Sequence, residues 1–263
     1  MNTHEVLSLI TKSEREAAEL ILKAKDIISE NKTDARNVVT EYDRAVQQLL
    51  VQRISSSCPE AEFFCEESSH PGKLDAAECF IIDPIDGTMN FVKGFHHSCI
   101  SIAYSANGTV VCAAVYNPYT DEMFTALKGE GAWLNGRKLA IQDCPLKDSI
   151  ACVGTSPYYP DKYEATNIIS GKLMVNCLDI RRSGSAALDL CYVAAGRAGI
   201  YFELMLSLWD YAAGALIAQE AGARCCTPAG GPLIYTGEKA GVVCGTPAAL
   251  SECSHIFKEI YTK

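Results

Sequence analysis

The spacing of apolar residues changes near residue 62, and this change constrains the fold more than any other feature of the chain. In the first thirty residues apolar side chains recur three, four and seven positions apart, which predicts an amphipathic helix over 5–30. A similar pattern predicts a second helix over 43–55. Beyond residue 62 the apolar runs have only strand length, as in Phe80-Ile81-Ile82. The chain is therefore predicted to combine helices and strands in a mixed α/β fold.

Turn signals and helix signals place the later elements. Asn107-Gly108 and Asn135-Gly136 are typical of two-residue hairpin turns. The apolar runs beside these turns predict strands over 98–105, 109–116, 122–127 and 131–134. Two further helices are predicted over 183–197 and 208–220, and Gly222 suits the C-cap of the second.

The chain has a formal charge of −9 over 263 residues. Its field repels nucleic acid and anionic membranes, so direct binding to either is not expected. The same field repels a phosphorylated substrate unless cations or backbone N–H groups neutralise the site locally. A phosphate substrate would therefore require bound metal or a similar positive group.

Thirteen cysteines occur without any C-x-x-C pair, and several lie inside apolar runs such as Val111-Cys112-Ala113. We interpret them as small, reduced core residues, and the adjacent Cys225-Cys226 lacks the spacing of metal ligands. Reduced thiols indicate a reducing compartment. The charged N-terminal residues are unlike a secretion signal, and no apolar stretch approaches the ~20 residues that cross a bilayer. We expect a soluble, cytoplasmic protein.

Acidic residues follow the predicted elements at four places, namely Glu66-Glu67, Asp83 with Asp86, Glu203 and Asp210. Each place alone has an ordinary explanation as a turn or as an anion at a helix N-terminus. The segment 83–88, Asp-Pro-Ile-Asp-Gly-Thr, is more specific because it puts two carboxylates, a carbonyl and a hydroxyl on one tight turn. Hard oxygen donors without imidazole or thiolate favour magnesium over zinc or copper.

Three segments resemble signatures of the inositol monophosphatase family. They are Asp83-Pro84-Ile85-Asp86-Gly87-Thr88-Met89-Asn90-Phe91, the stretch from Trp209-Asp210 through Glu220-Ala221-Gly222, and Phe64-Cys65-Glu66-Glu67-Ser68. The three segments occur in the family's order and at about its spacing, so the resemblance covers essentially the whole chain. It implies a layered α-β-α-β-α sandwich of two packed subdomains, 1–143 with most metal ligands and 144–263 with the substrate-selecting residues.

The resemblance also implies an activity. Family members hydrolyse phosphoric monoesters, bind two to three Mg²⁺ ions and are commonly homodimers. The implied metal ligands are Glu66, Asp83, the Ile85 carbonyl, Asp86 and Asp210. The implied catalytic residues are Glu66, Thr88 and Asp86, where Glu66 and Thr88 align a metal-activated water for in-line attack on phosphorus. Asp43 and Glu67 are the implied outer partners.

Substrate contacts follow from the same resemblance. Asp86 and Asp210 are implied substrate-binding residues, and the phosphate oxygens are expected at the N–H groups of Gly87 and Thr88 if these residues start a helix. The hydroxyl groups of the polyol are expected at Gly184, Ser185, Ala186 and Glu203. Simple helix capping explains Ser185 equally well, and a surface strand end is the alternative for Glu203.

The chain departs from the family pattern at a few positions. Met89 stands where threonine is common, Asn37 where aspartate is common, and His96-His97 where Pro-Phe is frequent. None of these positions is an implied metal ligand. We expect His96 and His97 to be solvated loop residues.

Two alternative functions stay open beside a phosphatase for inositol phosphate or a similar small polyol or sugar phosphate. One is another phosphatase of the same superfamily, acting on fructose 1,6-bisphosphate, 3′-phosphoadenosine 5′-phosphate or histidinol phosphate. The other is a binding protein, since some bacterial relatives also act as accessory factors in transcription. The charge of −9 argues against direct RNA binding but not against protein binding.

Overall fold

The computed structural model describes residues 1–32, 37–68, 72–233 and 235–261. Its largest element is a seven-stranded sheet in which only the first two strands are parallel. The strands follow chain order across the sheet: β3 Glu62–Cys65, β4 Glu78–Asp86, β5 Cys99–Ala106, β6 Thr109–Asn117, β7 Glu122–Leu127, β8 Gly131–Leu134 and β9 Arg137–Leu139. A separate two-stranded ribbon joins β1 Ser29–Asn31 to β2 Val38–Thr40.

A second sheet has five strands in the order β11-β10-β12-β14-β13. These strands are β10 Ile150–Val153, β11 Asp179–Arg181, β12 Ile200–Leu206, β13 Arg224–Cys226 and β14 Ala240–Gly245. The described helices are α1 Thr3–Leu22, α2 Glu41–Ser55, α3 Thr88–Val92, α4 Tyr163–Met174, α5 Ala186–Ala194, α6 Leu208–Glu220 and α7 Pro247–Tyr261. No helix in the described ranges is long and apolar enough to cross a bilayer.

Three apolar cores hold five layers together. The first core lies between the helices α1 and α2 and one face of the large sheet. The second core joins the other face of that sheet to α5 and α6 and to the five-stranded sheet. The third core lies between the five-stranded sheet and the helices α4 and α7. The predicted α-β-α-β-α sandwich is therefore confirmed. The two sheets also fall on either side of the predicted boundary at 143/144, although the boundary itself stays a prediction.

Short-range turn signals located the hairpins correctly. The strands predicted over 122–127 and 131–134 occur with those limits. Asn107 and Gly108 both adopt positive φ angles, 50° and 75°, as the predicted two-residue turn between β5 and β6 requires. The helix predicted over 208–220 is α6, and Gly222 follows its C-cap residue with a φ of 105°.

Two predicted helices were too long. The first ends at Leu22 rather than at residue 30, because Asp26 has a φ of 49° and the chain then enters β1. Ile28, which fits the helical spacing, is 71 % exposed. The helix predicted over 183–197 is only Ala186–Ala194, since Gly184 has a φ of 88° that no helix accepts. The helix predicted over 43–55 begins two residues earlier, at Glu41, where the Thr40 side chain caps it.

Most of the cysteines lie in the apolar cores, as predicted. Nine of the thirteen are buried, and the other four are half-buried, namely Cys144, Cys177, Cys225 and Cys226. Burial raises the pKa of most of the buried thiols, for example that of Cys65 to about 12. These thiols are therefore neutral, apolar packing groups at physiological pH.

Candidate metal centre

A bulge in β4 aims two carboxylates into one cavity. Asp83 pairs with Ser101 of β5 and Asp86 pairs with Cys99, so three steps along β4 match two along its partner. Pro84 lies within this bulge, where its lack of a backbone N–H removes one hydrogen bond between the strands. The sequence suggested a tight turn after the strand. The structure instead keeps the whole segment through Asp86 in the strand and achieves the bend by the bulge.

The third aspartate comes from the other half of the chain. Asp210 lies in the first turn of α6, where its Oδ2 accepts a hydrogen bond of 2.7 Å from the Ser207 N–H. Single carboxylate oxygens of Asp83, Asp86 and Asp210 all lie within 4.8 Å of one another. Residues from distant parts of the chain therefore meet at one point. Three oxygens at this separation can share a divalent cation.

These aspartates open onto a cavity of about 230 Å³. Every residue predicted to bind metal or substrate lines it, namely Glu66, Asp83, Ile85, Asp86, Gly87, Thr88, Gly184, Ser185, Ala186, Glu203 and Asp210. Asp43 and Glu67, the predicted outer partners, are not among its lining residues. The cavity therefore gathers side chains from both sheets and from the N-terminal ends of α3, α5 and α6.

Thr88 connects the cavity to Asp43 behind it. The Thr88 hydroxyl lies 3.1 Å from the Ile85 carbonyl oxygen and 3.3 Å from Asp43 Oδ1. The other oxygen of Asp43 accepts hydrogen bonds from the N–H and hydroxyl of Thr40, at 2.7 and 2.5 Å. Burial raises the pKa of Asp43 to about 6, despite these bonds. Asp43 thus orients Thr88 from outside the cavity.

Asp86 is fixed by the start of α5. Its Oδ2 accepts hydrogen bonds from the Ser185 hydroxyl at 2.5 Å and from the Ala187 N–H at 2.9 Å. Ser185 is also the N-cap residue of α5, so its hydroxyl is already engaged twice. Burial raises the pKa of Asp86 to about 6, while these hydrogen bonds oppose the rise. The capping explanation of Ser185 is therefore observed, and contact between its hydroxyl and substrate stays a prediction.

The carboxylates repel one another. Burial is the main cause that raises the pKa of Asp83 well above its usual range, and the charges of Glu66, Asp86 and Asp210 raise it further. Burial, Glu66 and Asp86 raise the pKa of Asp210 in the same way. Such a cluster is stable only if it holds protons or cations. Divalent cations would displace the protons, so cation binding should release protons and strengthen as pH rises.

Lys32 places a positive charge beside Glu66. Its Nζ lies 2.8 Å from Glu66 Oε1 and also forms a short ion pair with Glu67. Burial alone would lower the pKa of Lys32, but the two carboxylates raise it. The Glu67 N–H also donates a 2.9 Å hydrogen bond to the Gln47 side chain, which faces away from the cavity. Glu67 therefore holds Lys32 in place rather than facing the aspartates.

Glu203 occupies the opposite wall of the cavity. It is 9 % exposed and lies inside β12, at a second bulge, so the alternative of a surface strand end was wrong. Its Oε1 accepts a 2.6 Å hydrogen bond from the Ser156 N–H, and its Oε2 one of 3.1 Å from the Tyr201 hydroxyl. Burial raises the pKa of Glu203 to about 7. A Cβ at Gly154 would lie 2.1 Å from Glu203 Oε2, so only glycine fits there.

Sequence reasoning missed four functional candidates. Arg182, Asp189 and Tyr158 line the cavity, and Lys32 contacts Glu66. Asp189 is 1 % exposed, and its Oδ1 has no hydrogen-bond partner in the part of the chain that the structure describes. The sequence contains a recognisable feature at two of these four residues. Arg182 belongs to an Arg-Arg pair before the Ser-Gly-Ser segment, and Asp189 interrupts an otherwise apolar helix.

The departures from the family pattern have different placements. Met89 lines the cavity, whereas Asn37 lines an adjoining one of about 190 Å³ with Lys32 and Tyr158. His96 is exposed and stacks on Tyr119 at 4.9 Å between ring centroids. His97 is half-buried, and burial lowers its pKa. Its buried Nε2 has no hydrogen-bond partner within the described ranges. The expectation of a solvated loop residue thus holds for His96 and was wrong for His97.

The donor set of the cavity fits magnesium. Its described lining provides carboxylates, the Ile85 carbonyl and the hydroxyls of Thr88, Ser185 and Tyr158, and no imidazole or thiol. Magnesium prefers such hard oxygen ligands and keeps several waters, so it needs only a few carboxylates. A cation would also relieve the repulsion that raises the pKa values of Asp83 and Asp210.

Comparison with known proteins decides the family. A profile of the inositol monophosphatase family matches residues 2–260. The chain belongs to this family. Among the curated members that it resembles is Nus factor SuhB of Vibrio cholerae, which is 41 % identical over 234 residues, covering 87 % of each chain. Relatives of this chain within the family thus include proteins that are named for a role other than hydrolysis.

Solved structures of the family superpose closely on this fold. An IMPase from Thermotoga maritima matches with a TM-score of 0.87 and 28 % identity over 98 % of both chains. An IMPase/NADP phosphatase complexed with Mg²⁺ and phosphate matches with a TM-score of 0.82 and 25 % identity, over 96 % of this chain and 93 % of the other. The acidic cluster of the present chain fits the magnesium dependence of the family.

Proposed function

We propose that this protein is a magnesium-dependent phosphomonoesterase that acts on inositol monophosphate or a similar small polyol or sugar phosphate. The observation that carries the proposal is the meeting of Asp83, Asp86 and Asp210 within 4.8 Å, in a cavity that Glu66 and Glu203 also line. Family membership supports the hydrolytic chemistry but leaves the substrate open.

Different residues of the cavity would bind the metal ions and orient the attacking water. Glu66, Asp83, the Ile85 carbonyl, Asp86 and Asp210 would hold two to three ions. Bound Mg²⁺ would supply the Lewis acidity that lowers the pKa of a coordinated water and neutralises the phosphate. Glu66 and Thr88 orient the attacking water. Its oxygen bonds to phosphorus as the ester P–O bond breaks, and its proton ends on the leaving alcohol.

The protein orients the two ends of the substrate differently. The N–H groups of Gly87 and Thr88 lie at the start of α3 and can donate to phosphate oxygens. Glu203, with Gly184 and Ala186, lies on the wall where the alcohol would sit. Because a carboxylate accepts hydrogen bonds from neighbouring hydroxyls, Glu203 favours a polyol over an apolar leaving group.

A phosphate-release assay tests this proposal. The substrates are inositol 1-phosphate, fructose 1,6-bisphosphate, 3′-phosphoadenosine 5′-phosphate and histidinol phosphate, each with Mg²⁺ or with EDTA. We expect magnesium-dependent release, greatest with inositol 1-phosphate, and near-total loss in Asp86→Asn and Glu66→Gln. The exposed Asp148→Asn is the matched control and should retain activity. Normal turnover by either site variant in excess magnesium would refute the assigned roles.

A second candidate function is that of a transcription accessory protein. The observation in its favour is the 41 % identity to a protein named Nus factor SuhB. The charge of −9 favours contact with a protein over contact with RNA. Binding of the purified chain to purified RNA polymerase, measured by biolayer interferometry, tests it. Asp86→Asn should bind as the wild type does if this function is separate from hydrolysis.

We also propose that the chain forms a homodimer. Large apolar side chains are exposed just before β11, which is an edge strand of its sheet, with Val175 78 % and Leu178 68 % exposed. Such neighbouring exposed apolar residues are typical of interfaces. Sedimentation velocity should show a dimer for the wild type and a monomer for Val175→Glu. An unchanged dimer in this variant would place the interface elsewhere.

A further inference from the structure

Two cysteines face each other across neighbouring strands of the five-stranded sheet. Cys225 of the edge strand β13 lies directly opposite Cys244 of β14 in an antiparallel pair. Their sulfur atoms are 3.1 Å apart. Directly opposed residues of antiparallel strands have Cα atoms about 4.5 or 5.5 Å apart, and both values lie within the range that a disulfide accepts. The backbone therefore needs little movement to join the two sulfurs.

The surroundings of the pair give its two members different access. Cys225 is half-buried in the edge strand β13, and its sulfur lies on the α6 side of the sheet, 3.8 Å from the Ala215 carbonyl oxygen. Cys244 is fully buried in the core beneath α6. Neither sulfur belongs to the lining of the cavity that holds the aspartates. A small oxidant can therefore reach Cys225 first, and Cys244 is in position to react with the product.

We propose that Cys225 and Cys244 form a reactive dithiol that hydrogen peroxide converts to a cross-strand disulfide. In the first step the Cys225 sulfur bonds to a peroxide oxygen, the O–O bond breaks, and water leaves with the thiol proton. In the second step the Cys244 sulfur attacks the Cys225 sulfenic acid, and the S–O bond breaks. The hydroxide leaves as water with the Cys244 proton. Two thiols and one peroxide thus give one disulfide and two waters.

Proximity makes the second step efficient. Burial raises the pKa of the Cys244 thiol well above its usual range, so this thiol is a poor nucleophile towards peroxide in solution. Its sulfur is nevertheless held 3.1 Å from that of Cys225, and such fixed placement favours attack within the protein. The same burial protects Cys244 from direct oxidation.

Neighbouring cysteines are poor competitors for this bond. Cys226 follows Cys225 in the strand, so its side chain points to the opposite face of the sheet. Cys226 and Cys253 both belong to the core beside α7, whereas Cys225 and Cys244 belong to the core beside α6. The sheet itself therefore separates the two pairs of thiols.

Peptide mapping of the full chain tests the proposal without any activity assay, so its result is independent of the proposed phosphatase. The reduced protein is treated with hydrogen peroxide, blocked with N-ethylmaleimide and digested with trypsin under non-reducing conditions. Cleavage after Arg224, Lys239 and Lys258 gives peptides 225–239 and 240–258. We expect these peptides to be joined, with a mass lower by two hydrogen atoms, and dithiothreitol to separate them.

Matched variants assign the bond, because the two peptides also contain Cys226 and Cys253. Cys226→Ser and Cys253→Ser should keep the cross-link, whereas Cys225→Ser should lose it. Mapping of the wild type decides the matter even if a variant fails to fold. Separate peptides with Cys225 oxidised to sulfinic acid, or a cross-link that Cys226→Ser abolishes, would overturn the proposal.

Discussion

Replacement of Ser185 by alanine tests two structural roles of its hydroxyl, the capping of α5 and the hydrogen bond to Asp86. Ser185 is 2 % exposed. Its hydroxyl donates a hydrogen bond to Asp86 Oδ2 at 2.5 Å and lies 3.4 Å from the Leu188 backbone nitrogen, whose N–H it caps. Loss of the cap should cost about 1 kcal/mol of unfolding free energy. Loss of a hydrogen bond to a charged group is worth about 1.5 kcal/mol or more.

Loss of the hydrogen bond to Asp86 should also weaken the binding of Mg²⁺ at low pH. The hydrogen bond from Ser185 stabilises the ionised form of Asp86, whose pKa burial raises to about 6. A loss of about 1.4 kcal/mol would raise that pKa by roughly one unit, to about 7. Because protons compete with the cation for Asp86, the Kd for Mg²⁺ should increase about fivefold at pH 6 and stay unchanged at pH 8.5.

Isothermal titration calorimetry with MgCl₂ at these two pH values measures the effect. Ser149→Ala is the matched control, since this buried hydroxyl donates instead to the Leu146 carbonyl at 2.9 Å. The control should bind Mg²⁺ like the wild type at both pH values. A loss of affinity in Ser185→Ala that is equal at pH 6 and pH 8.5 would refute the argument, because protonation of Asp86 could not then be its cause.

Three further predictions concern charged residues. Lys32→Met should tighten Mg²⁺ binding about fivefold by calorimetry, because it removes a cation worth about 1 kcal/mol from beside Glu66; weaker binding would contradict this. Burial raises the pKa of Asp189 to about 7, so the folded wild type keeps a proton that the unfolded chain has released, and its stability falls as pH rises towards 7. In urea unfolding, Asp189→Asn should gain about 1.4 kcal/mol per pH unit relative to the wild type between pH 5 and 7, and no more above pH 7; a constant difference would count against this. Glu14 is fully buried, and neither of its carboxylate oxygens has a hydrogen-bond partner among the described residues; burial raises its pKa. The gain in stability of Glu14→Leu over the wild type should therefore be larger at pH 8 than at pH 5. Equal urea midpoints for this variant and the wild type at both pH values would exclude that cost.

Elements bounded by local signals could be predicted from the sequence. The strand Glu122–Leu127 and the helix Leu208–Glu220 have the predicted limits, because turn residues or a capping residue mark their ends. The end of α1 could not be predicted in this way. Ile28 continues the helical spacing, but the pairing of β1 with β2 competes with the helix for these residues. Local periodicity does not report such a competition.

The residues of the site that belong to recognisable segments could also be predicted. Asp83, Asp86 and Asp210 lie in those segments, and all three line one cavity. Lys32 and Tyr158 lie in segments without a distinctive pattern, and only the fold brings them beside Glu66 and Asp210. Their positions depend on long-range packing, which single-sequence patterns do not encode.

The sequence by itself determined the kinds of ligand available to this protein: acidic oxygens at the ends of apolar segments, with the residues that permit sharp backbone bends. Only the tertiary structure decided how these groups are used. The bulge after Asp83, the anchoring of Asp86 by the start of α5 and the placement of Asp210 on α6 set the distances between the carboxylates. The physical reason is that a metal site requires ångström-scale geometry between residues far apart in the chain, and that geometry comes from the packing of two sheets around α5 and α6.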